Sequence, residues 1–305
     1  MLLISGDLFH RQPLLRELKE VNYLFSRLSV TQVVFIAGNH DYLKKDSYYH
    51  SFQWNDNVHP LLKEEITSVE LPRLQTAVYG ASYHGKEVRE KIYVNKYAGA
   101  RQKYEILLLH GGDEKHIPLQ KTELLDLGYD YIALGHIHKP GVIVPGKAEY
   151  CGALEPIDKN DTGAHGYIYG EMTEKRCITK FVPFAEREYR HLDITVTRET
   201  TAYALREMLQ KNICEQGIEH IYKITLQGFK DTEVCYDTEM LDVYGNIIEI
   251  EDDTRPAYDM GKLKQNNRDN ILGSLIESFW EYPKDSIEYQ ALCEGIQALL
   301  ETRRN

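Results

Sequence analysis

An α/β fold is what this chain predicts: a two-sheet sandwich flanked by helices, then a small α+β module and C-terminal helices. Three observations carry that prediction. Four short apolar runs, Leu2-Leu3-Ile4-Ser5, Val33-Val34-Phe35-Ile36-Ala37, Ile106-Leu107-Leu108-Leu109 and Tyr131-Ile132-Ala133-Leu134, each lead into a turn that carries glycine. Parallel strands buried on both faces read as continuous apolar runs of this kind. Between the runs lie segments with apolar residues at helical spacing. After the fourth run, glycines and short strand-like segments recur through residue 183, which favours two stacked sheets over one doubly wound sheet.

Taken in order, Leu14, Leu15, Leu18, Val21, Leu24, Phe25 and Leu28 predict a sheet-covering helix, with Pro13 in its first turn. The strand at 33–37 delivers Gly38-Asn39-His40-Asp41. Residues 46–54 are aromatic and polar, and predict a short helix at the mouth of a site. Tyr48, Tyr49 and Trp54 either stack on a ligand there or pack, and packing is the commoner fate of aromatics. Strands follow near 57–62, 66–71 and 75–80, and His84 reads as a loop residue. Residues 86–101 are charged, with helix-like stretches. A strand at 104–109 reaches His110. A helix at 119–127 and a strand at 130–134 lead to Gly135-His136-Ile137-His138-Lys139-Pro140.

Near Pro183 the pattern changes to strand 190–197, helix 201–216, and strands 219–228 and 245–250. From Lys262 the chain reads as helical. Ile271, Leu272, Leu275, Ile276, Phe279 and Trp280 form one apolar stripe; Leu292, Ile296, Leu299 and Leu300 form another. These shifts divide the chain into segments 1–185, 186–258 and 259–305.

The 305 residues, 42% hydrophobic, are enough for one large or two medium domains. No apolar run approaches the ~20 residues a membrane helix needs, and the start lacks the pattern of a signal peptide. The expectation is a cytoplasmic protein without membrane contact. Cys151, Cys177, Cys214, Cys235 and Cys293 are scattered, which predicts reduced, mostly buried thiols. A net charge of −11 argues against a protein that coats nucleic acid. Residues 229–260 concentrate the imbalance, with ten Asp/Glu against Lys230 and Arg255. That stretch reads as a solvated face, or as a docking face for a basic partner.

The four strand-to-turn segments place Asp7, Asn39, His110, His136 and His138 along one rim, because ligands gather at the carboxyl ends of parallel strands. Residues i and i+2 of an extended segment point to one side. His136 and His138 can therefore reach one metal or two adjacent metals. The set is mixed oxygen and nitrogen without thiolate, and suits Mn, Fe, Zn, Co or Ni better than Ca or Mg.

GDLFH (6–10), GNHD (38–41), LLLHGG (107–112) and GHIHKP (135–140) resemble the motifs of calcineurin-like metallophosphoesterases. They look most like the DNA-repair nuclease branch, the SbcD-type exonucleases and YhaO-like proteins. Residues 150–156 resemble a loop of that branch. The resemblance implies a metallophosphoesterase sandwich over 1–185, a capping domain over 186–258, and C-terminal helices able to dock on a partner. It implies two divalent ions, manganese foremost. Asp7 would bridge them; Asn39, His110 and His136 would complete one shell; His138 would join the other. His40 would be the catalytic histidine that is not a ligand, and His10 would help orient the nucleic-acid strand. The implied partners are DNA and an SbcC-like or YhaN-like coiled-coil ATPase, with a homodimer left open.

The family's first motif, an Asp-x-His after its first strand, has no counterpart in this sequence. The expectation is an N-terminally truncated domain, short of a strand–helix unit of ~30 residues, with its second metal site incomplete. Two further readings follow. One is a binding or regulatory subunit without nuclease activity. The other is a small-molecule phosphodiesterase on the same fold.

Overall fold

The computed structural model describes residues 1–302 except Lys175, Lys284 and Asp285. The chain divides into two units, Met1–Glu188 and a second beginning at Tyr189. No helix among the described residues is long and apolar enough to cross a membrane.

The first unit contains β1 (Leu2–Ser5), α1 (Leu15–Ser26), β2 (Val33–Ile36), β3 (Val58–Pro60), β4 (Thr67–Leu71), β5 (Thr76–Gly80), β6 (Tyr104–His110), α2 (Lys121–Asp126), β7 (Tyr131–Gly135), β8 (Gly141–Val144), β9 (Ala148–Tyr150), β10 (Gly166–Met172) and β11 (Cys177–Pro183). One sheet is parallel throughout, in the order β1-β2-β3. A second, mixed sheet has the order β4-β5-β6-β7-β9-β8, and β10 pairs with β11 as an antiparallel hairpin.

Alternation along the strands explains the layering. Val34 and Ile36 of β2 meet Val78, Ile106 and Leu108 of the second sheet, forming a core between the sheets. Val33 and Phe35 face the other way, onto Leu18 of α1 and Tyr49. Leu107, Leu109, Ile132 and Leu134 likewise turn outward, onto Leu124 and Leu127. Each apolar run thus feeds two layers, and the two-sheet sandwich flanked by helices is what the sequence predicts.

Several local expectations need correcting. Pro13 lies outside α1, one residue before the cap Leu14, whose N–H bonds to Glu17. The α1 stripe is not all core: Leu18 is buried, but Leu14, Leu15, Leu24 and Leu28 are exposed. The segment at 86–101 contains no helix. Tyr93 is buried there, its hydroxyl bonded to Pro118 O and Glu123, and Gly99, Arg101 and Gln102 donate backbone N–H groups to Glu105. Those tertiary anchors outweigh local propensity. The aromatic segment forms one 3-10 turn, Tyr48–His50. Tyr49 is buried, Trp54 packs on Phe35 and Phe52, and Tyr48 alone of the three is exposed. Of the cysteines, Cys293 is buried while Cys214 and Cys235 are exposed. All five are free.

The second unit holds β12 (Tyr189–Val196), α3 (Ala202–Gln216), β13 (Ile221–Lys230), β14 (Ile247–Asp252), β15 (Arg255–Pro256), α4 (Met260–Asn266), α5 (Ile271–Ser278) and α6 (Ile287–Glu301). β12, β13 and β14 are parallel neighbours, and β15 pairs with β13. Helix α3 starts at Thr201, whose hydroxyl accepts from Ala204 N. It sets Leu205, Leu209 and Ile213 against Leu192, Ile194 and Val196. The C-terminal stripes cover each other: Leu272 and Ile276 pack with Leu292, Cys293 and Ile296. Ile271 and Trp280 stay exposed, and residues 303–305 of that segment lie outside the described residues.

Candidate metal centre

Four strand ends meet at one rim of the first unit. β1 runs into Gly6-Asp7, β2 into Gly38-Asn39-His40, β6 ends at His110, and β7 ends at Gly135, followed by His136. Asp7 (φ 51°) and His136 (φ 88°) are left-handed without being glycine. Such backbone is strained for residues with side chains, and strain of this kind gathers at functional sites.

Close approach requires glycine twice. A Cβ on Gly6 (φ 95°) would lie 2.7 Å from His110 Cγ, and one on Gly38 would lie 2.7 Å from His110 Cε1 and collide with the Asp7 carboxylate.

His110 is the hub, only 1% exposed. Its Nδ1–H donates to Ser5 O at 2.7 Å, and its carbonyl accepts from the Tyr83 hydroxyl at 2.7 Å. A carbonyl can only accept, so Nδ1 carries the proton and Nε2 of the neutral ring is bare. That bare nitrogen lies 2.8 Å from Asn39 Oδ1 and 3.2 Å from Asp7 Oδ2. His136 repeats the logic. Its Nε2–H faces Asp113 Oδ2 at 2.7 Å, which leaves Nδ1 bare, 3.1 Å from Asn39 Oδ1.

Electron-pair donors from four segments thus converge with no proton among them. Metal–ligand bonds of ~2.0–2.2 Å put adjacent donors about 3 Å apart. The spacing and the donor types both fit a divalent cation held by Asp7, Asn39, His110 and His136.

The electrostatics agree. Burial pushes the Asp7 carboxyl up, but in the ion-free protein a proton shared with His110 Nε2, where a cation would sit instead, and the His40 N–H, 2.9 Å from Oδ1, outweigh it and hold it below its ordinary value. Burial lowers His136 against the pull of Asp113, favouring the neutral ring a metal requires. Behind the rim, Asp41 is fully buried and ties three elements. It accepts from Gly38 N at 2.7 Å, the Tyr49 hydroxyl at 2.8 Å and Phe9 N at 3.4 Å. Burial pushes its carboxyl up to about 6.

The other expected residues are placed differently. His40 lies beside the group, its Nδ1 3.2 Å from His10 O, and the His10 and His40 rings stack at 4.5 Å. His138 directs Nδ1 to Asp161 Oδ2 at 2.9 Å rather than joining the four. Asp113, His116 and His136 also bring three donor atoms within 4.8 Å of one another. Asp113 is already saturated there by Lys115 N, His116 N, His116 Nδ1 and His136 Nε2. Burial tends to raise its carboxyl, yet the hydrogen bonds from His136 and His116 hold it well below the usual range. The proton-free donors fit a cation better than this acid does. A cavity of about 1170 Å³ is lined by Tyr49, Tyr83, Lys63, Glu87 and Ile117 among others, and by none of the four donors.

Sequence reasoning missed Asp41, Asp113, His116 and Asp161. Asp41 stands inside the quoted GNHD, and Asp113 directly follows His110-Gly111-Gly112, so both were adjacent to visible signals. Asp161 has no local signal.

Residues 1–140, from β1 through the His-x-His pair, match the family model described as calcineurin-like phosphoesterase. Among individual proteins, the chain is similar to the uncharacterized metallophosphoesterase YhaO of Bacillus subtilis (strain 168). The two are 27% identical over 252 residues, 74% of this chain and 59% of the relative. The chain thus spans about three-fifths of that relative's length.

Proposed function

We propose that the chain hydrolyses DNA phosphodiester bonds as the exonuclease subunit of a DNA-repair complex, using divalent ions with manganese foremost. The reading rests on one observation, the convergence of Asp7, Asn39, His110 and His136 with His40 alongside. Bound there, a divalent ion supplies Lewis acidity toward a phosphate oxygen. His40 stands free of the donor set; with Nδ1–H directed at His10 O, its protonated ring would donate from Nε2 to the leaving oxygen or stabilise charge on the phosphoryl group. His10, stacked on it, orients the strand. The residues fit one ion. For a second ion this chain offers Asp7 and His138, whose Nδ1 is held by Asp161 while Nε2 is left to ligate. Further parts of the proposal are a cytoplasmic setting, a coiled-coil ATPase partner of the SbcC or YhaN kind, and a homodimer.

The test is cleavage of labelled oligonucleotides by the purified chain with Mn²⁺, next to a small chromogenic phosphodiester. His40→Ala should abolish cleavage with metal content kept; unchanged turnover rejects the role. Cleavage of the small ester alone points instead to a small-molecule phosphodiesterase. One observation favours a second reading, a binding or regulatory subunit: among the described residues the proton-free donors make up the shell of one ion. One tightly held ion per chain without turnover supports it, and two ions with turnover support the nuclease.

A further inference from the structure

The two rings of the His-x-His pair are each tied to a carboxylate, but through opposite nitrogens. His136 uses Nε2, 2.7 Å from Asp113 Oδ2; His138 uses Nδ1, 2.9 Å from Asp161 Oδ2. Neither carboxylate depends on its histidine for placement. Asp113 Oδ1 is held by the backbone N–H groups of Lys115 at 2.8 Å and His116 at 3.0 Å, and by His116 Nδ1 at 2.9 Å. Asp161 Oδ2 accepts from Ile157 N and Asp158 N, each at 3.2 Å. Both acids are thus fixed by their own loops before they meet a ring. The His116 ring also lies 4.3 Å from that of His136, walling its orientation.

A carboxylate offers only lone pairs, so the nitrogen facing it must carry the proton and the other nitrogen of the neutral ring is bare. Asp113 therefore leaves His136 its Nδ1, the nitrogen nearer the backbone, which is the one beside Asn39 Oδ1. Asp161 leaves His138 its Nε2, the farther nitrogen. The two rings thus leave different nitrogens bare, the nearer on His136 and the farther on His138.

We propose that Asp113 and Asp161 are positioning residues that set opposite tautomers in the His136/His138 pair, so that each ring presents a lone pair toward the metal centre. Carboxylate partners of this kind orient metal-bound histidines and are typically worth about 10- to 100-fold in metal affinity. The inference rests on His136 and His138 being ligands, as proposed above.

The experiment is a long-range ¹H–¹⁵N correlation spectrum of the full metal-free chain. Ring signals are assigned by their loss in His136→Gln and His138→Gln. The expected result is an Nε2–H tautomer for His136 and an Nδ1–H tautomer for His138. Asp113→Asn should shift His136 toward Nδ1–H and weaken Mn²⁺ binding by about 10- to 100-fold, and Asp113→Glu should restore part of both. Asp161→Asn should shift His138 the other way. Like tautomers in the wild-type rings overturn the proposal. So does an Asp113→Asn variant that melts lower while its tautomers and Mn²⁺ affinity stay unchanged, which marks a purely structural acid. Loss of binding in His116→Gln, with binding kept in Asn39→Ala, places the ion among Asp113, His116 and His136 and also overturns it. His136→Gln separates the two levels. If it binds Mn²⁺ like wild type, the ligand reading fails; if it loses Mn²⁺ while Asp113→Asn does not, only the positioning role fails.

Discussion

Gly38→Ala should damage the metal centre through sterics alone. A Cβ there would lie 2.7 Å from both Asp7 N and His110 Cε1, against 3.4–4 Å for ordinary contact, with the Asp7 carboxylate nearer still. Relief requires displacements of roughly 0.7 Å or more, beyond what a packed interior absorbs. His110 cannot yield, being buried and fixed by Ser5 and Tyr83. Asp7 must move instead, which breaks its contact with His40 N at 2.9 Å. Overpacking costs about 1–3 kcal/mol, and a lost hydrogen bond to a charged group about 1.5–3 kcal/mol. The expected loss in the metal-free protein is on the order of 3 kcal/mol, with Mn²⁺ affinity falling further because Asp7 is displaced. Thermal unfolding with EDTA and a Mn²⁺ titration read the two effects separately. Gly170→Ala is the control, since its nearest neighbour would be Thr179 Cγ2 at 3.6 Å. A Gly38→Ala protein that melts and binds Mn²⁺ like this control refutes the reasoning.

The remaining expectations concern the fold and the ion. Leu108→Ala, fully buried between the sheets, should cost about 2–5 kcal/mol in urea unfolding. Asp41 gives a pH signature in the metal-free protein. Its carboxyl is raised to about 6 when folded, against 3.8 for the free group, so the folded state holds the proton more tightly. The stability it contributes is therefore full below the unfolded value and lost as pH rises through about 6. Asp41→Asn should flatten that fall between pH 4 and pH 7.5 in denaturant titrations. Mn²⁺ at about 100 times its Kd should raise stability by ~2.7 kcal/mol. EDTA should reverse the gain, and Asp7→Asn should remove it.

The parts of this molecule that sequence made legible share one property: their signal is local. A strand buried on both faces must be apolar at every position, so Val33 to Ala37 and Ile106 to Leu109 announced both their structure and their depth. The residue just past each run then had a defined place, which brought Asp7, Asn39, His110 and His136 to one rim. What stayed hidden depends on partners distant in the chain. Asp113 and Asp161 each meet a histidine 23 positions away. Nothing in the composition of 86–101 shows that Tyr93 will be drawn inward to Glu123. For Tyr49 and Trp54 the sequence left stacking on a ligand open beside the commoner packing, and it does not show the Phe35 and Asp41 that they pack against.

Asp7 and Asn39 hang from the sheet of β1 and β2, whereas His110 and His136 hang from the sheet of β6 and β7. An ion gripping all four would act as a rivet through the two layers. Shear of one layer against the other by even a fraction of a bond length would open the coordination shell. Occupancy and layer registry therefore report on each other. Amide exchange should slow on β2 and β6 together when the ion binds, although those strands belong to different hydrogen-bonded ladders.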